Sequence, residues 1–361
     1  MVTEFNTAFS LNGLPIAYDD LSEVAYSLVK EGDSYEREIG DFLLDWISES
    51  GDILQRTSGS TGSPKEIYLS KKAMVKSALL TGSFLDLGEG TRALLCLPVS
   101  TIAGKMMLVR ALTLGWKLTV VAPERTPLWS VAGDFDFSAM VPMQLQASLK
   151  NIERIGKVLV GGAPVSKDLR EALSGKSTIV YESYGMSESA SHIALRKLNP
   201  PENTDSPGEV PAFQALPGIT LEQDKNDCLV VHVPFLSKEP IQTNDLVSMQ
   251  DAQSFYWLGR ADHVVNSGGV KLVPEILEAQ LEPVLQRRFF LTGIPDEVLG
   301  EKLVLVAEGK PDEALLAKVQ ESGGLEKYEV PKAVYFLEAF KEGESGKIQR
   351  AEILRELFKG E

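Results

Sequence analysis

The stretch Thr57-Ser58-Gly59-Ser60-Thr61-Gly62-Ser63-Pro64-Lys65 constrains this chain more than any other. It places hydroxyl residues, glycines and a lysine in one short loop between two strand-like runs, Ile53-Leu54-Gln55-Arg56 and Glu66-Ile67-Tyr68-Leu69. Glycine lets the backbone turn through conformations closed to other residues and leaves amide N–H groups uncovered. Such N–H groups, hydroxyl donors and an ammonium together make a cradle for an anion with several oxygens, such as a polyphosphate. A flexible Ser/Gly linker has a similar composition, but linkers seldom carry Pro-Lys and run straight into an apolar strand. The P-loop of nucleotide triphosphatases needs Gly, four residues, then Gly-Lys-Ser/Thr. Pro64 stands where that pattern requires its second glycine, so the P-loop is excluded.

A chain of 361 residues has room for two domains, or one large domain with a smaller one attached. Its hydrophobic fraction of 43% and charged fraction of 24% are those of a globular protein with a sizeable core. A formal net charge of −15 argues against general affinity for nucleic acid or anionic lipid, while leaving room for a local basic site that takes an anionic ligand. Cys96 and Cys228 lie in apolar strand-like runs and read as buried free thiols of a reducing compartment. The start, Met1-Val2-Thr3-Glu4-Phe5, lacks the basic and apolar regions of a signal peptide, and no run is long and apolar enough to span a bilayer. A cytoplasmic location without membrane insertion is the expectation. Homodimerisation is left open.

Along the chain, residues 1 to about 50 read as a leading segment with helices. Leu21, Val24, Ala25, Leu28 and Val29 recur at helical spacing behind Asp19-Asp20 as a cap, and Ile39, Phe42, Leu43, Trp46 and Ile47 repeat the pattern. Ser70-Lys71-Lys72-Ala73 begins another helix. Ala93–Pro98 is a continuous apolar run, suited to a strand buried on both faces. A helix from Lys105 to Leu114 and a strand over Lys117–Val121 follow, which implies a parallel βαβ unit. Phe137–Pro142, Val158–Gly162 and Ile179–Gly185 extend that rhythm. From about 204 to 260, frequent Pro and Gly with short strand signals indicate a β-rich subdomain. Beyond it come a helix opening at Val273-Pro274-Glu275, strands over Phe289–Thr292, Leu303–Ala307 and Ala333–Leu337, and a helix over Asp312–Gln320. The expected fold class is α/β: a large N-terminal domain, 1–260, of parallel sheets with helices plus the β-rich subdomain, then a small mobile α+β C-terminal lid domain, 261–361.

Two strand ends carry chemistry of their own. Gly161-Gly162-Ala163 closes a strand, and ligands of open α/β sheets gather at such ends. A planar base can lie on the uncovered backbone there, although a tight turn before a helix reads the same way. At Tyr184-Gly185-Met186-Ser187-Glu188 the aromatic ring can stack on a base, the Ser187 hydroxyl can reach a phosphate, and the Glu188 carboxylate can hold Mg²⁺ beside phosphate oxygens.

The loop T-S-G-S-T-G-x-P-K resembles the phosphate-binding loop of the adenylate-forming superfamily, which includes acyl-CoA synthetases, luciferases and peptide-synthetase adenylation domains. Tyr184–Glu188 resembles the family's Tyr-Gly-x-Thr-Glu, with Ser187 for threonine. Thr243-Asn244-Asp245 resembles its Thr-Gly-Asp, Gly259-Arg260-Ala261-Asp262 its Gly-Arg-x-Asp, and Gly346-Lys347-Ile348-Gln349-Arg350 its Gly-Lys-x-x-Arg, all in the family's order. The resemblance covers nearly the whole chain from Arg56 onward, behind a leading segment shorter than in most relatives, which implies a trimmed version of the fold. It implies that Gly161–Ala163 flank adenine, Asp245 bonds the ribose hydroxyls, and Arg260 contacts ribose or phosphate. Asp262 becomes the hinge, Gly268, Gly269 and Lys271 line the path of coenzyme A, and Lys347 becomes the catalytic lysine. ATP, Mg²⁺ and coenzyme A are the implied cofactors.

Within the family, Tyr184–His192 looks like the Tyr-Gly-Met-Thr-Glu-Thr-Ala-Ser-Gln of o-succinylbenzoate–CoA ligases of menaquinone biosynthesis. Leu97–Gly104 with Arg110, and Val141-Pro142-Met143-Gln144-Leu145, resemble segments of the same enzymes, with Thr101 in place of their histidine. That likeness puts Thr101, Lys105, Arg110, Pro142, Gln144, Ser191 and His192 around a carboxylic-acid pocket. Two other readings stay open: a related ligase for a different acid or for a carrier protein, and a nucleotide-binding protein without catalysis.

Overall fold

The computed structural model describes residues 5–57, 65–199, 210–321, 323–343 and 348–358. The chain forms two compact units, Met1–Thr220 with His232–Ile241, and Leu221–Val231 with Gln242–Glu361.

The first unit opens differently from the helical expectation. β1 (Ser10–Leu11) and β2 (Leu14–Pro15) form a hairpin over Asn12-Gly13, both at positive φ (50° and 83°), the turn that suits tightly connected strands. α1 (Leu21–Glu31) and α2 (Ser34–Ile47) then pack together. α2 buries Ile39, Phe42, Leu43 and Trp46, the i, i+3, i+4, i+7 stripe of an amphipathic helix. The expected aspartate cap of α1 is not made. Asp20 occupies the position without a side-chain bond, because the 3₁₀ turn Tyr18–Asp20 feeds the helix directly.

β3 (Asp52–Thr57) and β4 (Lys65–Ser70) pair antiparallel and lead into α3 (Lys71–Leu85). Next come β5 (Arg92–Leu95), α4 (Ile102–Leu114), β6 (Lys117–Val120), β7 (Phe135–Met140), α5 (Pro142–Ser148), β8 (Ile155–Val160), α6 (Lys167–Ala172), β9 (Ile179–Gly185), β10 (His192–Lys197) and β11 (Phe213–Ala215). In the sheet these strands run β11-β10-β9-β8-β7-β5-β6-β1-β2. The expected parallel core is present: β6, β5, β7, β8 and β9 are mutually parallel, and β10 turns back antiparallel. Leu94, Cys96, Val158, Val160 and Val180 bury one face against Leu145, Leu169 and Leu173. Val141 and Pro142, expected to end a strand, instead open α5, since proline without an N–H suits a helix start. α4 starts at Ile102, earlier than expected, capped by Thr101 Oγ1, which accepts from Gly104 N at 3.2 Å. A Cβ on Gly104 would lie 2.1 Å from Pro98 O, so only glycine permits this tight entry.

The second unit holds β12 (Thr220–Gln223), β13 (Cys228–His232), β14 (Ile241–Asp251) and β15 (Ser254–Arg260) in that sheet order. β16 (Val265–Ser267), β17 (Val270–Leu272), α7 (Pro274–Leu285), β18 (Phe289–Asp296), β19 (Gly300–Glu308), α8 (Leu315–Glu321), β20 (Val334–Leu337) and α9 (Arg350–Leu357) complete it. β17, β16, β19 and β18 form a second sheet, with β20 parallel to β19. Leu277, Leu281, Leu291, Leu303, Leu305 and Val319 are its core. Cys96 and Cys228 are buried free thiols, as their apolar surroundings in the sequence indicated. No helix among the described residues is long and apolar enough to cross a membrane.

Candidate active site

Because β5, β7, β8 and β9 are parallel, their C-terminal ends lie along one edge of the sheet. The chain leaves those ends at Cys96–Thr101, Val141-Pro142, Gly161–Pro164 and Met186–Ser189. All are segments singled out for chemistry, and the C-terminal edge is where open α/β sheets bind ligands.

Ser58–Pro64 of the glycine loop lie outside the described residues. Their flanks are placed: Thr57 and Lys65 are register partners at the end of the β3–β4 pair, and Lys65 is exposed.

At the ends of β8 and β9, Ser183 Oγ donates to Val160 O at 3.1 Å. A Cβ on Gly161 would meet Ser183 Oγ at 2.3 Å. Gly162 follows at φ 90°, a conformation that favours glycine, and Ala163 is half-buried in the turn behind it. Tyr184 is half-buried. Gly185 is required by close approach, as a Cβ there would lie 2.5 Å from both Ser191 O and His192 Cα. Met186 and Ser187 are half-buried, and Glu188 projects to solvent from the 3₁₀ turn Ser187–Ser189. Ser189 braces that turn, accepting from Met186 N at 3.1 Å and lying 2.6 Å from Ser191 O as a donor. The exposed Glu188 carboxylate suits a magnesium ion held mainly by substrate phosphates.

The residues assigned to the acid pocket separate into groups. Arg110, Ser191 and His192 come together. Arg110 Nη2 donates to Ser191 Oγ at 2.8 Å and lies 3.4 Å from His192 Nδ1, and His192 Nε2 lies 3.3 Å from Thr81 Oγ1. Arg110 is 2% exposed and its Nε has no partner. Burial pushes its pKa down to about 9. Burial, then the Arg110 charge, hold the His192 imidazole well below its ordinary pKa. Thr101 and Lys105 lie at the start of α4. Lys105 Nζ donates to Leu54 O at 2.8 Å, tying α4 to β3, and its pKa is lowered by burial against the opposing charges of Asp45 and Glu38. Gln144 is engaged in the fold: its Nε2 donates to Cys96 O and Glu124 O at 2.8 and 2.9 Å, and its Oε1 accepts from Val141 N. Pro142 is half-buried two positions earlier at the helix start.

In the second unit Asp245 and Arg260 are register partners of β14 and β15, with Oδ1 and Nη1 3.6 Å apart. Trp257 Nε1 donates to the same Asp245 oxygen at 3.1 Å. Arg260 grips Asp262 with two bonds, at 2.9 and 3.1 Å. Gly268 and Gly269, at φ 58° and 86°, form the two-residue turn between β16 and β17, and Lys271 is exposed on β17. Lys347 lies outside the described residues. Arg350, three positions later, donates to Glu278 Oε2 at 2.8 Å and lies over the Phe290 ring.

Sequence reasoning missed Thr81, Trp257, Glu182, Arg196 and Phe213. Thr81 is an ordinary helix residue, and only the fold brings it to His192. Trp257 is the partner of Val247, two register pairs along from Asp245 and Arg260, a placement that only the strand register of β14 and β15 shows.

Residues 48–221 match the family described as AMP-binding enzyme. The crystal structure of an acyl-CoA synthetase (AMP-forming)/AMP-acid ligase II-like protein from Dyadobacter fermentans is 40% identical, has a TM-score of 0.60, and covers 93% of this chain and 98% of its own. The 2-succinylbenzoate–CoA ligase of Geobacillus kaustophilus is 28% identical over 84% of this chain and 69% of its own length. The o-succinylbenzoate CoA synthetase of Bacillus subtilis, solved in complex with its acyl-adenylate intermediate, has a TM-score of 0.73 over 92% of this chain and 80% of its own, and its 20% identity bears on the fold alone. The fold and strand-end site define an AMP-forming acid–thiol ligase, a class that uses ATP, Mg²⁺ and coenzyme A. The chain belongs to the AMP-binding enzyme family.

Proposed function

We propose that this ligase activates an aryl dicarboxylic acid, o-succinylbenzoate, and transfers it to coenzyme A as a cytoplasmic step of menaquinone biosynthesis. The observation that carries the substrate is Arg110, a buried guanidinium with no carboxylate charge beside it among the described residues. A buried cation without a counter-charge is costly. A substrate whose second carboxylate approaches Arg110, Ser191 and His192 offsets that cost, and a monocarboxylic acid does not. The name of the Geobacillus kaustophilus relative points to the same substrate.

In the reaction proposed, one carboxylate oxygen attacks the α-phosphorus of ATP, and pyrophosphate leaves. The glycine loop Thr57–Lys65 cradles the phosphates, Gly161–Ala163 and Tyr184 flank the adenine, and Ser187 reaches a phosphate. Asp245 accepts from the ribose hydroxyls with Arg260 beside it. Glu188 would hold Mg²⁺, which offsets phosphate charge when bound. Lys347 bridges the attacking carboxylate and the α-phosphate, stabilising the charge of the pentavalent transition state. The segment from 261 onward then turns about Asp262 as a lid, withdrawing Lys347 and bringing in the Gly268-Gly269 turn with Lys271. The coenzyme A thiol attacks the acyl carbonyl, AMP leaves, and the thiol proton passes to solvent.

The test is pyrophosphate release from Mg·ATP with o-succinylbenzoate, benzoate, a medium-chain fatty acid and an amino acid, with and without coenzyme A. Release with o-succinylbenzoate, and its thioester by mass spectrometry, is the expected result. Release with another acid alone overturns the substrate and keeps the chemistry. Lys347→Ala is expected to suppress adenylation far more than thiolysis of supplied acyl-adenylate, and equal loss of both steps overturns that role.

A further inference from the structure

We infer that Glu182, Arg196 and Phe213 are positioning residues for the adenine site, holding the Tyr184 ring and the Gly161–Pro164 turn in one fixed arrangement. The inference rests on the proposed reading that Tyr184 and Gly161–Ala163 flank adenine. The three residues form a row across β9, β10 and β11. Arg196 is the register partner of Glu182, and carrying the Leu195↔Gln214 register one residue further sets Phe213 opposite Arg196. Direct cross-strand neighbours are the unit of side-chain interaction in a sheet.

The row is largely buried and bonded throughout. Glu182 and Phe213 are buried, and Arg196 Nη2 and Nε meet Glu182 Oε2 at 2.7 and 2.8 Å. The Arg196 guanidinium carbon lies 4.3 Å from the Phe213 ring centroid, a cation–π distance. The Phe213 ring in turn lies 5.8 Å from the Tyr184 ring, tilted by 55°. The diagonal reach is open because the next row on this face is Tyr184, Ala194 and Ala215, and the two alanines leave room for a ring to lean across. The other Glu182 oxygen accepts from Val165 N at 3.3 Å, directly behind the Gly161–Pro164 turn. One buried carboxylate therefore fixes both strand-end segments, from below on one side and through Arg196 and Phe213 on the other.

Breaking a buried ion pair from one side is destabilising, so the experiment separates placement from folding. Dissociation constants for AMP and for inorganic pyrophosphate are measured by calorimetry on the full chain and on Phe213→Leu, Phe213→Tyr, Arg196→Met and Tyr184→Ala. On the proposed reading, pyrophosphate engages the glycine loop and not the base site. Phe213→Leu and Arg196→Met are expected to weaken AMP by about three- to tenfold with pyrophosphate unchanged, while Phe213→Tyr, which keeps the ring, restores AMP binding. Equal weakening of both ligands, or unchanged AMP binding beside a clear loss in Tyr184→Ala, overturns the positioning role. Unchanged AMP binding in Tyr184→Ala overturns the adenine reading itself, and the inference with it.

Discussion

Arg110 reaches Ser191 across 81 positions of sequence, with Nη2 2.8 Å from Oγ. Its Nε stays without a partner, and no carboxylate charge offsets it among the described residues. Arg110→Met keeps most of the side-chain volume and removes the desolvated charge. It is expected to leave the thermal stability of the free protein unchanged or raised. The KM for a dicarboxylic acid should rise by roughly ten- to a hundredfold, the range of a hydrogen bond to a charged group. Steady-state kinetics with matched mono- and dicarboxylic acids checks this, and the same loss for both would make Arg110 a packing residue.

His192 sets a pH dependence. Its folded pKa is depressed well below 6.5, first by burial and then by Arg110. Below about 6.5 the unfolded chain takes up a proton that the folded chain refuses, so stability is full above that pH and falls as pH drops, by up to about 1.4 kcal/mol per pH unit. Urea unfolding at pH 7, 6 and 5 should show a shallower loss for His192→Asn than for the natural chain. Parallel slopes would mean that the imidazole takes its proton while folded.

Gly161→Ala forces a methyl carbon to 2.3 Å from Ser183 Oγ. Overpacking of this kind costs about 1–3 kcal/mol. The clash is with a single hydroxyl, since Ser183 Cβ lies at 3.7 Å. The double variant Gly161→Ala with Ser183→Ala should therefore recover most of the stability lost in the single one. A double-mutant cycle by denaturant unfolding gives the coupling, and additive losses would refute the contact.

Cys96 is buried among apolar side chains, and burial pushes its thiol up to about 12. Cys228 is buried and also raised, by burial and then by neighbouring acidic residues. Neither is expected to react with a thiol reagent at pH 8 in the folded protein, because the thiolate is the nucleophile. Both should titrate once the chain is unfolded. A fast native reaction at either site would contradict this burial.

Much of the fold was open to sequence reasoning because its signals are local. An apolar run such as Ala93–Pro98, a stripe such as Ile39, Phe42, Leu43 and Trp46, and the glycine pair Gly268-Gly269 each dictate backbone geometry by sterics and periodicity. The misses are local too where a competing signal won. Pro142 ends a strand by opening a helix, and Asn12-Gly13 makes a hairpin in a segment whose helical periodicity begins only later.

The motif order from Thr57 to Arg350, the parallel α/β class and the placing of Tyr184–Glu188 and Gly161–Ala163 at strand ends were therefore determined by the sequence itself. The tertiary structure decided which distant side chains share a site. It brought Arg110 to Ser191 and His192, took up Gln144 in bonds to the Cys96 and Glu124 carbonyls, and laid Phe213 between Arg196 and Tyr184. No residue carries such a pairing in its own identity. It arises from strand order and register, which are set only when the whole sheet closes its hydrogen bonds and buries its faces at once.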